Sequence, residues 1–424
     1  MVEDHDEAAA PGPPPPSLVS AVPGLTGRLA ALWLEDGGRP DLGRTFAGRE
    51  RKPREKALAV FLDAVLAETK RPPLAPTDRE AAQRRIFEAF ERFARTALDW
   101  EDRHIDILLS GGFGRAANEF VRKAKDFDAA LRSQDIFQAC RNVWVANGLQ
   151  RLLGRPVRLT PAIFAYSLLY PYTDNYLDDP ETGEETKRSF NGRLRSRLEG
   201  REVGPGNGRE RRIFDLVAMI ETEHDRARHP QVFESLLAIH ESQVKSLGLL
   251  RSDRPVGEAE AVKIGLEKGG TSVLADGCLA AGLLAPGEIA FLFGFGAFLQ
   301  LMDDLEDVEE DGRAGLQTVF SRSAGREPLD AVTDRTFRLG VAVLGGLDGF
   351  GVPDAEPLRE LIRSSLVQGL VMSAGRFGRL YSRAYLRALE AHAPFRFSFH
   401  NRERRKLTRR RAAIGRLFES FAKA

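Results

Sequence analysis

Cysteine is almost absent: Cys140 and Cys278 are the only two in 424 residues, far apart in sequence and at no zinc or redox spacing. Neither a zinc module nor a disulfide framework is indicated, and each thiol is expected to pack as a small buried side chain in a reducing compartment. Net charge is also nearly absent, at +1, so there is no overall basic field to draw a nucleic acid. No apolar run reaches the roughly 18 residues that a membrane span needs. The first residues, acidic and rich in Ala and Pro, lack the basic-then-apolar order of a signal peptide, so a cytoplasmic location is expected. There is no convincing period-two strand and no internal repeat.

What is present is helical patterning in a chain 42% hydrophobic and 29% charged. Apolar residues recur at three- and four-residue spacing over Leu25 to Leu34, Glu55 to Lys70, Pro76 to Asp102, Ser133 to Leu153 and Thr160 to Asp179. The pattern continues over Glu184 to Glu199, Arg209 to Asp225, Pro230 to Leu250, Gly257 to Leu284, Pro286 to Gly312, Pro328 to Leu347, Ala355 to Phe377 and Leu380 to Ala391. The fold class is all-α: one large bundle of antiparallel helices around a central cavity. Residues 1–20, with their PGPPPP run, are expected to be a disordered Pro-rich tail, 21–395 the helical domain, and 396–424 a basic C-terminal helix. That last helix either packs on the bundle or makes a peripheral contact with an anionic membrane. A homodimer is compatible with the sequence, which leaves the oligomeric state open.

Two helices end in carboxylates. From Ile289 to Met302 nearly every position is apolar or Gly, which predicts a helix surrounded on all sides. It runs from Pro286 to Gly312, about seven turns, and delivers Asp303, Asp304, Glu306 and Asp307. Ile163 to Tyr172 likewise runs into Asp174, Asp178 and Asp179. Asp303 and Asp307 share one helical face, as do Asp174 and Asp178, so like charges gather and a cation should compensate. If the two helices pack side by side, the carboxylates converge on one cavity. Oxygen-only ligation favours Mg²⁺, with Mn²⁺ as the other candidate, and Mg²⁺ fills its remaining positions with water and substrate phosphate. With apolar walls around it, the substrate expected is a prenyl diphosphate.

The string Gly296-Ala297-Phe298-Leu299-Gln300-Leu301-Met302-Asp303-Asp304-Leu305-Glu306-Asp307 resembles the second aspartate-rich motif of trans-prenyl diphosphate synthases, GxxFQxxDDxxD, with Leu299 in place of Phe. Asp174 to Asp179 resembles the first motif, with Asn175 for its second Asp and without the arginine pair that normally follows; it equally resembles the DxxxD form of squalene and phytoene synthases. Lys268 within EKGGTS looks like the Lys of the family's KT motif, with Gly269 in place of Thr. The chain is thus similar to class I isoprenoid synthases in the broad sense, over Ser133 to Ser323.

The resemblance implies an enzyme that ionises an allylic prenyl diphosphate and transfers the prenyl cation. Metal ligands would come from Asp174, Asp178, Asp179, Asp303, Asp304 and Asp307. Lys268 would clamp the diphosphate, followed by Lys187, Arg188 and Arg193, with Gln300 facing the cavity and Arg313 a weaker candidate. Phe164, Tyr170, Phe293 and Phe298 are candidate walls for the cation. There is no NxxxSxxxE pattern of ordinary cyclising terpene synthases, and the missing arginine pair weakens simple chain elongation. A divergent prenyltransferase is expected, with an atypical cyclase or a non-catalytic regulatory subunit as the alternatives. A separate reading, a metal phosphohydrolase of the His-Asp type, rests on His224-Asp225 with His229 and His240.

Overall fold

The periodicity folds into helices, and among the described residues there is no strand. The computed structural model describes residues 17–70, 75–109, 111–177, 179, 181–250, 255–352 and 355–421. The chain opens with α1 (Leu18–Leu34), α2 (Gly48–Lys70), α3 (Pro76–Ala97), α4 (Asp102–Leu109) and α5 (Phe113–Phe127). It continues through α6 (Ser133–Leu152), α7 (Pro161–Leu177), α8 (Glu184–Leu198), α9 (Gly208–Glu223) and α10 (Pro230–Ser246). Then come α11 (Glu258–Ala281), α12 (Pro286–Glu306), α13 (Val308–Ala314) and α14 (Val319–Ser323). The chain closes with α15 (Asp330–Gly345), α16 (Glu356–Arg376), α17 (Arg383–Glu390), α18 (Phe397–Arg409) and α19 (Arg411–Phe421).

Several elements differ from the sequence reading, α2 among them, which begins at Gly48 and not Glu55. The helix expected from Pro286 to Gly312 breaks at Asp307, whose φ of −102° and ψ of 8° end α12. Its N–H still donates to the Asp303 carbonyl at 2.9 Å, so Asp307 remains one turn above Asp303. Helices α4 and α5 lie in a stretch to which the reading gave no element. Helix α1 begins at Leu18 and runs through Pro23, leaving only 1–16 of the expected tail, and those lie outside the described residues. The basic C-terminus is two helices, α18 and α19; Leu417 and Phe421 pack against Ala82 and Ile86 of α3, and Glu55 of α2 accepts from Arg396 at 2.9 Å.

Helices α7, α11 and α12 are the most enclosed, with apolar residues turned inward on every side. Their packing turns on one close approach. A β-carbon built at Gly296 of α12 would lie 2.1 Å from the Gly269 carbonyl oxygen of α11, and one at Gly269 would lie 2.4 Å from the Gly296 oxygen. Only residues without a side chain let two helix backbones meet this closely. At the next residue of α11, a β-carbon at Gly270 would lie 2.7 Å from the Phe293 ring, and that ring is fully buried. Helix α7 passes through Pro171, and the Thr173 hydroxyl donates to the Leu169 and Tyr170 carbonyls at 3.0 and 2.9 Å.

Because overpacking a tight contact costs about 1–3 kcal/mol, Gly296→Ala is expected to lower unfolding stability by that amount in a urea titration. Gly287→Ala, where a β-carbon meets nothing within 4 Å, is the control and should leave it unchanged. Equal stability of the Gly296 variant and the parent chain would mean that the crossing is not tight.

Candidate functional site

The crossing sets Lys268, immediately before Gly269, against the acidic ends of two other helices. Tyr170 and Asp174 of α7 and Asp304 of α12 all act on its ammonium group. The Tyr170 oxygen first, with Asp174 and Asp304 behind it, outweighs burial and holds the lysine pKa above its usual range. A single half-buried cation therefore answers both acidic segments. Asp174 also accepts from Gln243 Nε2 of α10 at 3.1 Å, which fixes the carboxylate at the end of α7.

On α12 the acids occupy different environments. Asp304 is buried, facing α11 with Oδ2 3.6 Å from where a Gly265 β-carbon would be, and its Oδ1 accepts from Gln300 Nε2 at 2.8 Å. Burial, reinforced by Asp311 and Asp303, pushes its carboxyl up to about 7 against the opposing pull of Gln300 and Lys268. Asp303 is half exposed and accepts from Arg141 Nη2 of α6 at 3.2 Å. Asp307 is raised by burial and then by Asp303, and Asp311 is pushed up to about 7 by burial and then by Asp307 and Asp303. Asp303, Asp307 and Asp311 thus form one row of mutually repelling carboxylates, the arrangement that a cation relieves.

Below this row opens a cleft of about 240 Å³ between α6, α7, α11 and α12. Its polar lining includes Arg141, Asn142, Tyr170, Ser272, Gln300 and Asp303, with Val145, Val273 and Leu299 in its apolar wall. The central cavity of the sequence reading is not shown among the described residues. Of the four expected aromatic walls only Tyr170 lines it. Phe164 packs on Phe120 and Phe127 at 5.6 and 6.2 Å, Phe293 lies under Gly270, and Phe298 lies against Gly340, so these three are core.

The expected diphosphate cations other than Lys268 are elsewhere. Arg193 is bound in a two-point pair with buried Glu210, Nε to Oε2 at 2.8 Å and Nη2 to Oε1 at 2.6 Å. Burial opposes ionisation of Glu210, but Arg193, the Gly206 N–H and Tyr176 outweigh it and hold the carboxyl below its usual range. Arg193 therefore anchors the end of α7 through Glu210 and Tyr176, whose hydroxyl is 3.2 Å from Glu210 Oε1. Lys187 and Arg188 pair with Glu184 and Glu185 on their own helix, at 3.8 and 2.6 Å. Asp179 is committed to Arg209 at 2.6 Å and to the Glu181 N–H at 3.0 Å, and Asp178 lies outside the described residues. Arg313 is exposed and donates to the Glu309 carbonyl at 3.0 Å.

Among the described residues, no three His, Cys, Asp or Glu side chains converge as a ready metal-ligand set. The donors near the cleft are carboxylate oxygens whose charges crowd one another, which suits a hard divalent cation in kind. The His-Asp reading finds no such donors. The His224 and His229 rings meet edge to face at 5.1 Å, Asp225 caps its own turn by accepting from Ala227 N and Arg228 N, and burial drives His240 down to about 4. Cys140 and Cys278 are free thiols pushed up by burial to about 11 and about 12.

Arg141, Asn142, Gln243 and Asp311 were not singled out from sequence. Gln138, Arg141, Asn142 and Val145 fall at spacings of three, one and three on α6, a partly polar stripe on one face of a helix of mixed polarity, which was the available signal. At the cleft floor, Asn142 Nδ2 donates to Ser167 Oγ at 3.1 Å and to Asp276 Oδ1 at 2.9 Å. Asp276 is fully buried, and its Oδ2 has no hydrogen-bond partner among the described residues. No family model matches the chain, and no curated protein is detectably similar to it.

Burial, partly offset by Asn142, raises the Asp276 pKa well above the carboxylate range. The folded state then keeps a proton that the unfolded chain releases above about 3.9, so this residue subtracts stability as pH rises from there toward its folded pKa. Asp276→Asn removes the loss: its melting temperature relative to the parent should climb as pH rises above about 4. Parallel melting curves for the two proteins across that range would contradict a buried, protonated Asp276.

Proposed function

We propose that the chain is a Mg²⁺-dependent class I isoprenoid synthase that ionises an allylic prenyl diphosphate and transfers the prenyl group. One observation carries this reading: the acidic ends of α7 and α12 both act on the charge of the same half-buried lysine, Lys268, whose chain neighbour Gly269 lines a cleft together with Tyr170 and Asp303. Carboxylates beside a fixed cation suit a metal-bound diphosphate, and the apolar part of the cleft wall suits a hydrocarbon tail.

Asp174, Asp303 and Asp307 are the oxygens that would hold Mg²⁺ or Mn²⁺. A bound divalent ion supplies Lewis-acid neutralisation of the departing diphosphate. The rest of the work falls to the chain itself. Lys268 and Arg141 offer N–H donors to the phosphate oxygens, and the charge that develops there as the C–O bond breaks strengthens both contacts. Tyr170 presents a ring 5.9 Å from the Lys268 ammonium, at the junction of rim and wall, where the allylic carbon would lie. Val145, Val273 and Leu299 supply the apolar part of the wall, against which a cation would be shielded from quenching water. Gln300 orients Asp304 by its 2.8 Å hydrogen bond.

A second reading, a non-catalytic helical subunit, is favoured by a different observation. Lys268 and Arg141 already offset part of the carboxylate charge, and the described residues form no three-donor metal set.

Incubation with Mg²⁺ and geranyl, farnesyl or geranylgeranyl diphosphate, with pyrophosphate release and extractable products measured, separates the readings. Release is expected from the parent chain, and Lys268→Ala and Asp303→Ala should each lower it by about 100-fold or more with helical content preserved. A longer diphosphate product means elongation, and a hydrocarbon or alcohol means cyclisation or head-to-head joining. Release unaltered in both variants would refute the site, and no turnover of any of the three substrates would favour the non-catalytic subunit.

A further inference from the structure

Between Phe397 and Phe421, eight Arg or Lys residues stand against two acids, in a chain whose total is only +1. The excess is therefore local to α18 and α19. Glu403 takes up Arg402 and Lys406, at 3.1 and 2.7 Å. Arg405, Arg409, Arg410, Arg411 and Arg416 are exposed and make no ion pair among the described residues.

The apolar side of these helices is already used. Leu417 and Phe421 pack on α3, and Phe397 lies under Gly375 of α16, so the pair is pinned to the bundle with its bases outward. Phe418 is the exception: it is exposed, meeting Phe137 of α6 edge to face at 6.1 Å. Phe137 directly precedes Gln138, which lines the cleft. On the other side, Asn401 Nδ2 donates to the Gly375 carbonyl at 3.0 Å, and Ser373, two residues earlier, donates to Glu306 at the end of α12 at 3.1 Å. The two basic helices thus border the acidic end of α12 and the flank of the cleft.

We propose that α18 and α19 form a docking surface for an anionic lipid bilayer. Unpaired, outward-facing arginines are attracted by acidic headgroups, and their long stems let the guanidinium groups spread into the headgroup layer. An exposed Phe among them fits the boundary between headgroups and acyl chains. A nucleic acid fits less well, because the rest of the chain carries a net negative charge and would repel a long polyanion. The docking surface does not depend on the diphosphate reading.

The test is co-sedimentation of the full chain with vesicles of phosphatidylcholine alone and of phosphatidylcholine with phosphatidylglycerol, at low and high salt. Binding is expected only to the anionic vesicles and should be lost at high salt. The combined variant Arg409→Glu, Arg410→Glu, Arg411→Glu should bind at least about tenfold more weakly. Arg405→Gln with Arg409→Gln and Arg416→Gln, which adds no new charge, should also weaken binding while keeping the helical circular dichroism of the parent. Pyrophosphate release in solution should be unchanged in both, so a failure of docking and a failure of the diphosphate site read out separately. Equal binding to neutral vesicles, no binding to either, unaffected variants, or binding to a duplex oligonucleotide as tight as to the anionic vesicles would each overturn the proposal.

Discussion

The backbone contact between Gly269 and Gly296 is the constraint from which the rest of the site follows. Two helices that touch through side chains keep their axes about 8–10 Å apart, and Gly facing Gly allows the shorter end of that range. At that distance Lys268, next to Gly269, has Asp304 across from it, and Gln300 is close enough to hold the Asp304 carboxyl. Helix α7, packed beside α11, brings Tyr170 and Asp174 to the other side of the same lysine. No loop is involved, so the arrangement is as stiff as the core that carries it.

Electrostatics then distributes the charge unevenly. Asp304, buried, and Asp311, crowded by the acids before it, are both pushed up to about 7, so near neutral pH each exchanges its proton readily with a change in surroundings. Lys268 and Arg141 meet the remaining charge from opposite sides. This is a site balanced by its own side chains, and an added cation would compete with them for the same carboxylates. A phosphate group arriving with the cation would give the displaced lysine and arginine new partners, so metal and substrate are expected to bind together.

Much of the architecture was legible in the sequence because buried helices announce themselves by composition. The apolar run before Asp303 and the one before Asp174 gave α12 and α7 nearly to the residue at their N-termini, through Pro286 and Pro161. Lys268 was singled out from the EKGGTS string. Other features depended on tertiary context. Asp307 ends α12 because the chain turns there into α13, which no local signal required. Arg193 looked like a phosphate ligand until its partner Glu210, 17 residues on, was seen beneath it. Phe293 and Phe298 share a helix with the acids, yet the helix turns them toward Gly270 and Gly340 and away from the cleft. The stripe at Phe113, Ala116, Ala117, Phe120 and Ala124 is strongly periodic and was there to be read as α5.

The most direct test is a crystal structure with Mn²⁺ and a non-hydrolysable prenyl diphosphate analogue, in which anomalous scattering locates the metal. The account predicts manganese between Asp174 and the Asp303–Asp307 face, with the diphosphate oxygens on Lys268. Manganese elsewhere on the molecule, with Lys268 still held between Asp174 and Asp304, would contradict it.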